Sequence, residues 1–401
     1  MMFAHVDSWR GSTSNNLACA RVEFQSFGLI QATAAFRWLW RFQIHKHIPL
    51  RGDIPTAEVA ESAGVPLAQL QTVSRVAITT GYLLEPRAGY LCHSAASALV
   101  ASDPDYAGYA FVLTELFYKA SDKVIEATEK WGDTTKNTET GYCLAFQTEK
   151  PMFGHLFQDK TRATMFPGFT RAIAKTGERD PRFLVEGFDW SGTDTIVDVG
   201  GGRGYATIAV LNRFPSIKNC IVQDLPHVVA GAKEEVPPTL SETLASKVKF
   251  EVHDFFTPQP DLGENGGQRV FVLRQILHDW PDDKVKQILE GVVPILRKHD
   301  RILIQDVVLP SPSKAAYGQP LVSGEQDPAT EQALLQEVKD HTRAVFAASM
   351  SQLMMTLLHG RERTLEEFGE LCASVDERLT IKKCVTRPGS NLGVIEIGLG
   401  G

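Results

Sequence analysis

The chain has 401 residues, of which 43% are hydrophobic and 22% are charged, and its formal net charge is −7. A chain of this length is expected to form two domains, and the composition is typical of a soluble globular protein. The acidic balance argues against a nucleic acid or an anionic membrane surface as the main partner.

The sequence contains no indication of export, membrane insertion or metal binding. No apolar segment with a small-residue cleavage site follows Met1. The longest apolar stretch, 29–42, contains Gln31, Arg37 and Arg41, so no membrane span is predicted. The six cysteines are scattered without a CxxC pair, and no His, Asp or Glu cluster has ligand spacing. We therefore expect a cytoplasmic protein with reduced thiols and no metal.

Residue patterns divide the chain into three regions. Residues 1–105 predict an irregular arm over 1–25 and then a helical domain. Residues 106–180 predict connecting helices, and residues 181–401 alternate strands with helices. The last region is the candidate ligand-binding domain, because its first strand runs into a glycine-rich turn.

The first region contains a helix, turn, helix and wing pattern. Residues 54–65 predict a short helix with Thr56 as N-cap and Gly64 as its C-terminal stop. Residues 66–83 predict a second helix, and 83–94 predict a two-stranded wing. This is the winged-helix pattern, which often binds DNA.

DNA binding is nevertheless disfavoured for this module. Its second helix offers only Arg75 as a cation, too little charge to neutralise phosphates. We expect its apolar residues to form a protein interface.

The connecting helices are rich in aromatic residues, most of which are expected in the core. The candidates for the floor of a pocket for a flat apolar ligand are Phe146, Phe153, Phe157 and Phe166.

Seven strands are predicted in the third region: 194–199, 219–223, 248–252, 269–273, 301–309, 379–386 and 392–398. Alternation of the first five with helices predicts a parallel, doubly wound sheet. The short connection 387–391 forces the last two into an antiparallel hairpin. The polar stretch 311–340 predicts a surface loop with a short charged helix.

The segment 195–211, TIVDVGGGRGYATIAVL, is the most informative part of the chain. Open α/β sheets bind their ligands at such a turn, at the carboxyl end of a strand. The glycine spacing is GxGxG rather than the GxGxxG of dinucleotide folds, and Asp198 precedes it. A carboxylate there suits an amino-bearing or cationic ligand such as S-adenosylmethionine. Asp198, Gly200 and Gly202 are thus candidate cofactor contacts.

Further candidate cofactor contacts follow the next three strands. Asp224, followed by Leu225, comes twenty residues after the last glycine, where an acid accepts hydrogen bonds from both ribose hydroxyls. Asp254 and Phe255 are placed to meet an adenine amino group and ring face. Arg274 is placed to contact the cofactor or its loop. The alternatives are a plain strand-end carboxylate for Asp224 and a helix N-cap for Asp254.

His278 begins the sequence HDW, four residues beyond Arg274. A histidine titrates near neutral pH and can accept a proton from a hydroxyl, although a lone histidine is usually structural. Asp306 follows the fifth strand and Glu362 stands at a helix start. If these acids converge on the imidazole, they fix its tautomer and orientation.

Several segments together resemble the fungal and plant-type S-adenosylmethionine-dependent O-methyltransferases of small molecules. They are the winged-helix module, DVGGGRG, VQDLPHV, HDF, LRQILHDW, DVVLP and LMMTLLHGRERT, and the resemblance covers about residues 30–398. It implies an N-terminal all-α winged-helix dimerisation domain, followed along the chain by a domain with a Rossmann-like methyltransferase sheet. It also implies a homodimer whose N-terminal region lends part of the pocket.

In that family the histidine of HDW is the base, supported by the acids that match Asp306 and Glu362. The resemblance therefore implies methylation of a hydroxyl on an aromatic or enolic, polyketide-type metabolite with His278 as general base. Met354 and Met355 are candidates for packing around the sulfonium and the acceptor, although core packing explains them equally well.

Two departures from the family pattern keep an alternative open. Fungal members often carry an acid just before LMM, where this chain has Ser351 and Gln352, and Arg203 stands in the glycine turn. Some proteins of this scaffold bind the cofactor but catalyse pericyclic reactions or dehydrations without methyl transfer. Such a pericyclase is the alternative function.

Overall fold

The computed structural model describes residues 13–175, 179–234, 241–263, 266–310, 328–387 and 390–400. The chain divides into a first unit, Met1–Lys119 with Leu156–Ala172, and a second unit, Ala120–His155 with Ile173–Gly401. In the described residues no helix is both long and apolar enough to cross a membrane.

Helices dominate the first half of the chain, and strands alternate with helices in the second half. The α-helices are α1 Thr13–Arg41, α2 Thr56–Ala63, α3 Leu67–Thr79, α4 Ala95–Ser102, α5 Pro104–Phe111, α6 Tyr118–Ser121, α7 Val124–Trp131, α8 Gly141–Phe146, α9 Met152–Leu156, α10 Lys160–Lys175, α11 Arg182–Gly187, α12 Tyr205–Arg213, α13 Pro226–Glu234, α14 Glu242–Ala245, α15 Asp282–Val292, α16 Pro328–Leu358 and α17 Leu365–Val375. The strands are β1 Ile54–Pro55, β2 Leu83–Leu84, β3 Tyr90–His93, β4 Thr193–Val199, β5 Asn219–Asp224, β6 Val248–Val252, β7 Gln268–Arg274, β8 Arg301–Leu309, β9 Arg363–Thr364, β10 Leu379–Thr386 and β11 Leu392–Leu399. Within the described ranges there are also four 3₁₀ turns, Ile44–Lys46, Trp190–Gly192, Leu277–Asp279 and Val293–Ile295, and a π-helical turn, Val112–Phe117.

Helix α1 begins earlier than the sequence suggested. The prediction of an irregular arm was wrong over 13–25, because the helix starts at Thr13. The stretch 17–27 contains no glycine or proline and is rich in residues that tolerate a helix, so the weak periodicity did not prevent helix formation. Residues 1–12 lie outside the described residues.

In the first unit, β1 precedes α2, β2 and β3 follow α3, and the three strands form a sheet in the order β1-β3-β2. Gly64 ends α2 in the left-handed region, at φ 67°, as predicted. Thr56 is not the N-cap, since Pro55 occupies that position. The Thr56 hydroxyl instead donates to the carbonyl of Gly89 at 3.0 Å and ties the helix to the turn between β2 and β3.

In the second unit, the main sheet has the order β10-β11-β8-β7-β4-β5-β6, with β9 paired to β8. Strands β4 to β8 are mutually parallel, whereas β11 runs antiparallel to β8 and β10 antiparallel to β11. All seven predicted strands are confirmed within one residue at each end. The carboxyl ends of five parallel strands therefore meet at one edge, where the glycine turn begins.

The sheet is buried on both faces, as its nearly continuous apolar strands require. On one face Val197, Phe271 and Leu273 pack in a cluster with residues of α15 and α17. On the other face Ile196 and Val272 pack with residues of α11 and α12. Alternate residues of a strand thus serve opposite layers, which holds the ligand-binding edge rigidly.

Helix α16 is much longer than the short charged helix predicted within 311–340. It runs from Pro328 to Leu358, and residues 311–327 of the predicted loop lie outside the described residues. Proline at the first helical position is favourable, and no glycine or proline follows in 329–358. The charged segment is the first part of one long helix rather than an independent element.

Candidate active site

The glycine turn connects β4 to α12. Gly200, Gly202 and Gly204 have φ values of 69°, 60° and 71°, in the left-handed region that side chains with a Cβ avoid. A Cβ on Gly200 would also lie 2.6 Å from Cδ1 of Ile276. The turn therefore presents bare backbone at the carboxyl end of the sheet.

Asp198 lies beneath this turn and is buried. Its carboxylate accepts a hydrogen bond from the hydroxyl of Thr207 in α12. Burial raises the pKa of Asp198 to about 6, opposed by the Thr207 hydrogen bond and by the charge of Arg274. Asp198 thus joins the strand to the following helix, and its contact with a cofactor stays a prediction.

Asp224 connects the end of β5 to the glycine turn. Its Oδ2 accepts the backbone N–H of Gly202 at 2.8 Å, and its Oδ1 accepts the N–H of Leu225 at 2.7 Å. Each carboxylate oxygen can accept a further hydrogen bond. The neighbouring Leu225 side chain is exposed.

Asp254 and Phe255 follow β6, at the same carboxyl edge of the sheet as the glycine turn. The Asp254 carboxylate accepts the N–H of Phe256 at 3.0 Å, so it caps a turn rather than a helix. The ring of Phe255 makes an edge contact with Trp280 and lies 3.4 Å from the Cβ that Gly200 lacks. An apolar ring therefore borders the glycine turn.

Arg274 connects β7 to two other segments. Its Nε donates to Oε1 of Gln305 at 2.9 Å, and its Nη2 donates to the carbonyl of Arg179 at 2.7 Å. Burial lowers the pKa of Arg274, and the Asp198 and Asp306 carboxylates oppose this shift.

Arg179 is a site residue that the sequence did not reveal. Burial and the charge of Arg274 lower its pKa, whereas the carboxylates of Asp279, Glu362 and Asp306 raise it. The guanidinium therefore shares one electrostatic environment with the candidate catalytic acids. Its segment, GERDPR, carries no motif that indicates such a position.

His278 and Glu362 meet across 84 positions of the chain. His278 lies in the 3₁₀ turn Leu277–Asp279 and is buried, and its Nδ1–H donates to Oε1 of Glu362 at 2.9 Å. Its Nε2 lies 3.4 Å from Oδ1 of Asp279. Because Nδ1 carries the donated hydrogen, Nε2 is the nitrogen that can accept a proton.

Asp306 lies close to this pair without a hydrogen bond to the imidazole. It is fully buried, and neither carboxylate oxygen has a hydrogen-bond partner in the part of the chain that the structure describes. Burial raises the pKa of Asp306 to about 7, and the charge of His278 opposes this shift. Asp306 thus acts on His278 through space, and the predicted role in holding the ring falls to Glu362.

Charge determines the protonation state of the imidazole. Burial alone lowers the pKa of His278, but the carboxylates of Asp279, Glu362 and Asp306 together raise it from 6.5 to about 9. The imidazolium form therefore predominates at neutral pH in the ligand-free site, and the proton-accepting form increases as the pH approaches 9.

The turn that carries His278 is clamped by Arg363, which is fully buried. Arg363 Nη1 donates to the carbonyl of Leu277 at 3.0 Å, and Nη2 donates to the carbonyl of Trp280 at 2.9 Å. Nη2 also pairs with Oδ1 of Asp282 at 2.6 Å. Both ends of the His278 turn are thus fixed by one side chain.

Gly360 allows the same segment to approach the turn. A Cβ at this position would overlap the carbonyl oxygen of His278 and lie 2.5 Å from the carbonyl carbon of Asp279. Sequence reasoning missed Gly360 and Arg363, although both flank Glu362 in HGRERT.

Ser351, one of the departures from the family pattern, contacts this segment. Its hydroxyl oxygen accepts the backbone N–H of Glu362 at 3.3 Å. The residue thus helps to position the backbone that carries the acid.

The two candidate methionines of α16, Met354 and Met355, differ in their surroundings. Met354 is buried in the second unit, whereas the side chain of Met355 is 42% exposed. Met355 lines a cavity of about 650 Å³ together with Val124 and Arg361, and the described lining of that cavity does not include His278. Their place in an acceptor pocket stays a prediction.

The four candidate pocket phenylalanines are divided between the units. Phe146, half-buried against Tyr142, and the exposed Phe153 belong to the second unit. Phe157, which is exposed, and Phe166, which lies against Phe169, belong to the first. Their role in binding an acceptor stays a prediction.

Replacing Arg363 with methionine should destabilise the second unit. The change leaves three backbone carbonyls, those of Leu277, Arg361 and Trp280, without this donor, so we expect the free energy of unfolding to fall by about 3 kcal/mol. Urea unfolding measures this change. Arg361→Met is the matched control, because Arg361 pairs with the same Asp282 but is 39% exposed, and it should cost about 1 kcal/mol or less. Equal costs would show that the Asp282 pair, and not the carbonyl contacts, stabilises the turn.

Replacing Glu362 with glutamine should lower the pKa of His278. The pKa should move from about 9 toward the ordinary value of 6.5, because one buried carboxylate is removed. Nitrogen-15 NMR of the imidazole against pH measures it directly. Glu366→Gln, at an exposed position of α17, should leave the titration unchanged. An unchanged His278 titration in Glu362→Gln would contradict the assigned hydrogen bond.

The sequence of the chain matches known O-methyltransferases. Residues 138–323 match the model of the O-methyltransferase domain. The chain is 37% identical over 370 residues to the O-methyltransferase VdtC of Byssochlamys spectabilis, which covers 92% of this chain and 79% of that protein.

Solved structures share the fold at lower identity. The mitomycin 7-O-methyltransferase MmcR matches with a TM-score of 0.70 and 21% identity, over 97% of this chain and 100% of that one. The complex of LepI with SAM matches with a TM-score of 0.66 and 20% identity, over 97% and 90%. With the glycine turn, the strand order and the extended identity to VdtC together, this chain belongs to the O-methyltransferase family.

Proposed function

We propose that this protein transfers a methyl group from S-adenosylmethionine to a hydroxyl of a small aromatic or enolic metabolite, with His278 as the general base. One observation carries the proposal. His278, oriented through Nδ1 by a buried Glu362 at 2.9 Å, stands at the sheet edge that holds the glycine turn. Membership of the O-methyltransferase family supports the interpretation of His278 as the base and Glu362 as the acid that orients it.

The residues at the glycine turn fit the cofactor. Its positive φ values require residues without a Cβ, and the space beside Gly202 is open, so the backbone there is accessible to a close ligand. Asp224 is tied to the turn and keeps lone pairs for ribose hydroxyls, and the ring of Phe255 borders the turn. When bound, the cofactor supplies an electrophilic methyl group on a sulfonium.

The chain itself supplies proton removal and orientation. Glu362 holds the imidazole through Nδ1, so in the neutral ring it is Nε2, 3.4 Å from Oδ1 of Asp279, that takes the hydroxyl proton. The imidazolium that results is stabilised by the carboxylates of Glu362, Asp279 and Asp306. Because the base must be neutral to accept a proton, kcat/KM should rise with pH up to about 9.

His278→Ala tests both the reaction and the role of the histidine. Turnover should fall by about 10²–10⁴-fold, while the affinity for S-adenosylhomocysteine, measured by calorimetry, should stay unchanged. The assay follows methyl-labelled cofactor and product mass in a mixture of polyketide-type phenols. His299→Ala, at an exposed position, is the control. Lost cofactor affinity with preserved turnover would contradict the assignment.

The same assay decides the alternative, a pericyclase that binds the cofactor without transferring its methyl group. The likeness in fold to LepI and the presence of Ser351 in place of an acid support this alternative. A labelled product heavier by one methyl group, with release of S-adenosylhomocysteine, indicates methyl transfer. A substrate that is consumed without label or gain in mass indicates the alternative.

We also propose that residues 1–105 mediate a homodimer, with 106–180 as connecting helices and 181–401 as the catalytic domain. In support, α1 exposes the large apolar side chains of Phe27, Leu29 and Ile30.

Light scattering after gel filtration should give twice the chain mass of 44.2 kDa for the wild type. The double variant Leu29→Glu with Ile30→Glu should be a monomer, because it would bury two carboxylates in the interface. Val345→Glu, at an exposed apolar position of α16, should remain dimeric. A monomeric wild type would refute the proposal.

A further inference from the structure

Arg179 lies at the candidate active site but has no role in the reaction proposed above. It belongs to the second unit and comes shortly before α11, where its backbone carbonyl accepts a hydrogen bond from Nη2 of Arg274 at 2.7 Å. Arg274 ends β7, and its Nε donates to Oε1 of Gln305 in β8. The backbone of Arg179 is thus fixed at the carboxyl edge of the main sheet, beside the strand that leads to His278.

The guanidinium of Arg179 lies among the charges that surround the candidate base. The carboxylates of Asp279, Glu362 and Asp306 each act to raise the pKa of Arg179, and Arg179 in turn acts to lower the pKa of Asp279. The same three acids act on the imidazole of His278. The backbone contact and these charges together place the guanidinium beside His278.

This guanidinium is unpaired and accessible. Among the residues that the structure describes, it has no hydrogen-bond or ion-pair partner. Arg179 is half-buried, yet none of its nitrogens is one of the unpaired polar atoms that are closed to solvent, so a ligand can reach them. Both carboxylate oxygens of Asp306 and Oε2 of Glu362, in contrast, are closed to solvent. A ligand at this edge therefore meets the cation and not the unpaired oxygens of these two acids.

The other charged side chains near His278 already have partners. Arg274 donates through Nε and Nη2, and Arg363 donates through Nε, Nη1 and Nη2. Oδ1 of Asp279 lies 3.4 Å from Nε2 of His278, so this carboxylate is engaged with the imidazole. Within the described part of the site, the guanidinium of Arg179 is thus the accessible charge that lacks a partner.

Holding an unpaired cation at this position costs free energy. Burial and the charge of Arg274 lower the pKa of Arg179, although the three acids oppose the shift. A lowered pKa of a basic group means that the folded chain disfavours its charged form, compared with the unfolded chain. Unsatisfied polar groups and perturbed charges of this kind are typical of functional sites, where a ligand supplies the missing partner.

We propose that Arg179 binds a carboxylate of the acceptor, so that the substrate is a small aromatic acid with a hydroxyl group. The guanidinium has a fixed fork of N–H donors, which matches the two oxygens of a carboxylate in two parallel hydrogen bonds. Arg179 holds the acid group while the hydroxyl lies at Nε2 of His278. The inference deepens the proposed function and rests on it for the role of the hydroxyl.

Titration of the full-length protein with salicylate and with phenol, in the presence of S-adenosylhomocysteine, tests the proposal by ligand-observed NMR. The two probes share a ring and a hydroxyl, and only salicylate has a carboxylate. The wild type should bind salicylate about tenfold more tightly than phenol, because a charged hydrogen bond forms at a half-buried group. Arg179→Gln should bind the two probes about equally. Arg179→Lys keeps the charge but not the fork, so its preference should lie between these two.

Arg182→Gln is the matched control. Arg182 is three positions away, its side chain is 74% exposed and it pairs with Asp180, so this variant should keep the preference of the wild type. Equal binding of the two probes to the wild type would overturn the proposal. So would a preference for salicylate that survives in Arg179→Gln, or one that is lost equally in Arg182→Gln.

The binding readout separates this proposal from the proposed function, because no methyl transfer is needed. A preference for salicylate that depends on Arg179, in a protein that transfers no label, would support this inference and refute the methyl transfer. Label transfer to phenols with the same kcat/KM in the wild type and in Arg179→Gln, without a preference for salicylate, would do the reverse.

Thermal unfolding of the ligand-free protein distinguishes binding from a structural role. Arg179→Gln should leave Tm unchanged or raise it, because the folded chain disfavours the charge that is removed. A clearly lower Tm would mean that the guanidinium serves as a structural counter-charge to the acids, and this would overturn the proposal.

Discussion

Three residues of one short segment, Gly360, Glu362 and Arg363, hold the candidate base in place. Gly360 lets the backbone approach the His278 turn, Glu362 holds the imidazole, and Arg363 binds the carbonyls at both ends of the turn. The segment then pairs as β9 with the end of β8, just beyond Asp306. Distant parts of the chain are thus brought to one point by backbone contact rather than by side-chain packing alone, and the position of the base depends on this contact.

Burying several charges around one imidazole is costly unless they compensate one another. Asp279, Asp306 and Glu362 place negative charge around His278, while Arg179 and Arg274 lie in the same environment. The site is therefore a balanced set of buried charges, and the protonation of each group depends on the others. A ligand that brings its own charge to this edge of the sheet changes that balance directly.

The sequence predicted those features that follow from local pattern. The strands were located because apolar runs alternate with helical patterns along the chain, and the glycine turn was located because its spacing is short-range. Gly360 and Arg363 escaped notice because their partners are the backbone of residues some eighty positions earlier, and backbone carbonyls leave no mark in a sequence. The early start of α1 was missed because helix propensity persists where periodicity is weak.

Helix α16 carries both an exposed residue, Met355, and a residue that supports the site, Ser351. This difference limits which positions of the helix can change in sequence. Met355 is exposed beside a cavity, whereas Ser351, one turn earlier on the same helix, supports the backbone of Glu362. Substitutions near Met355 can therefore accumulate at little cost to the arrangement around His278. A change at Ser351 reaches the orienting acid directly. Relatives should accordingly vary more at positions like that of Met355 than at positions like that of Ser351, where a hydrogen-bonding side chain should be retained.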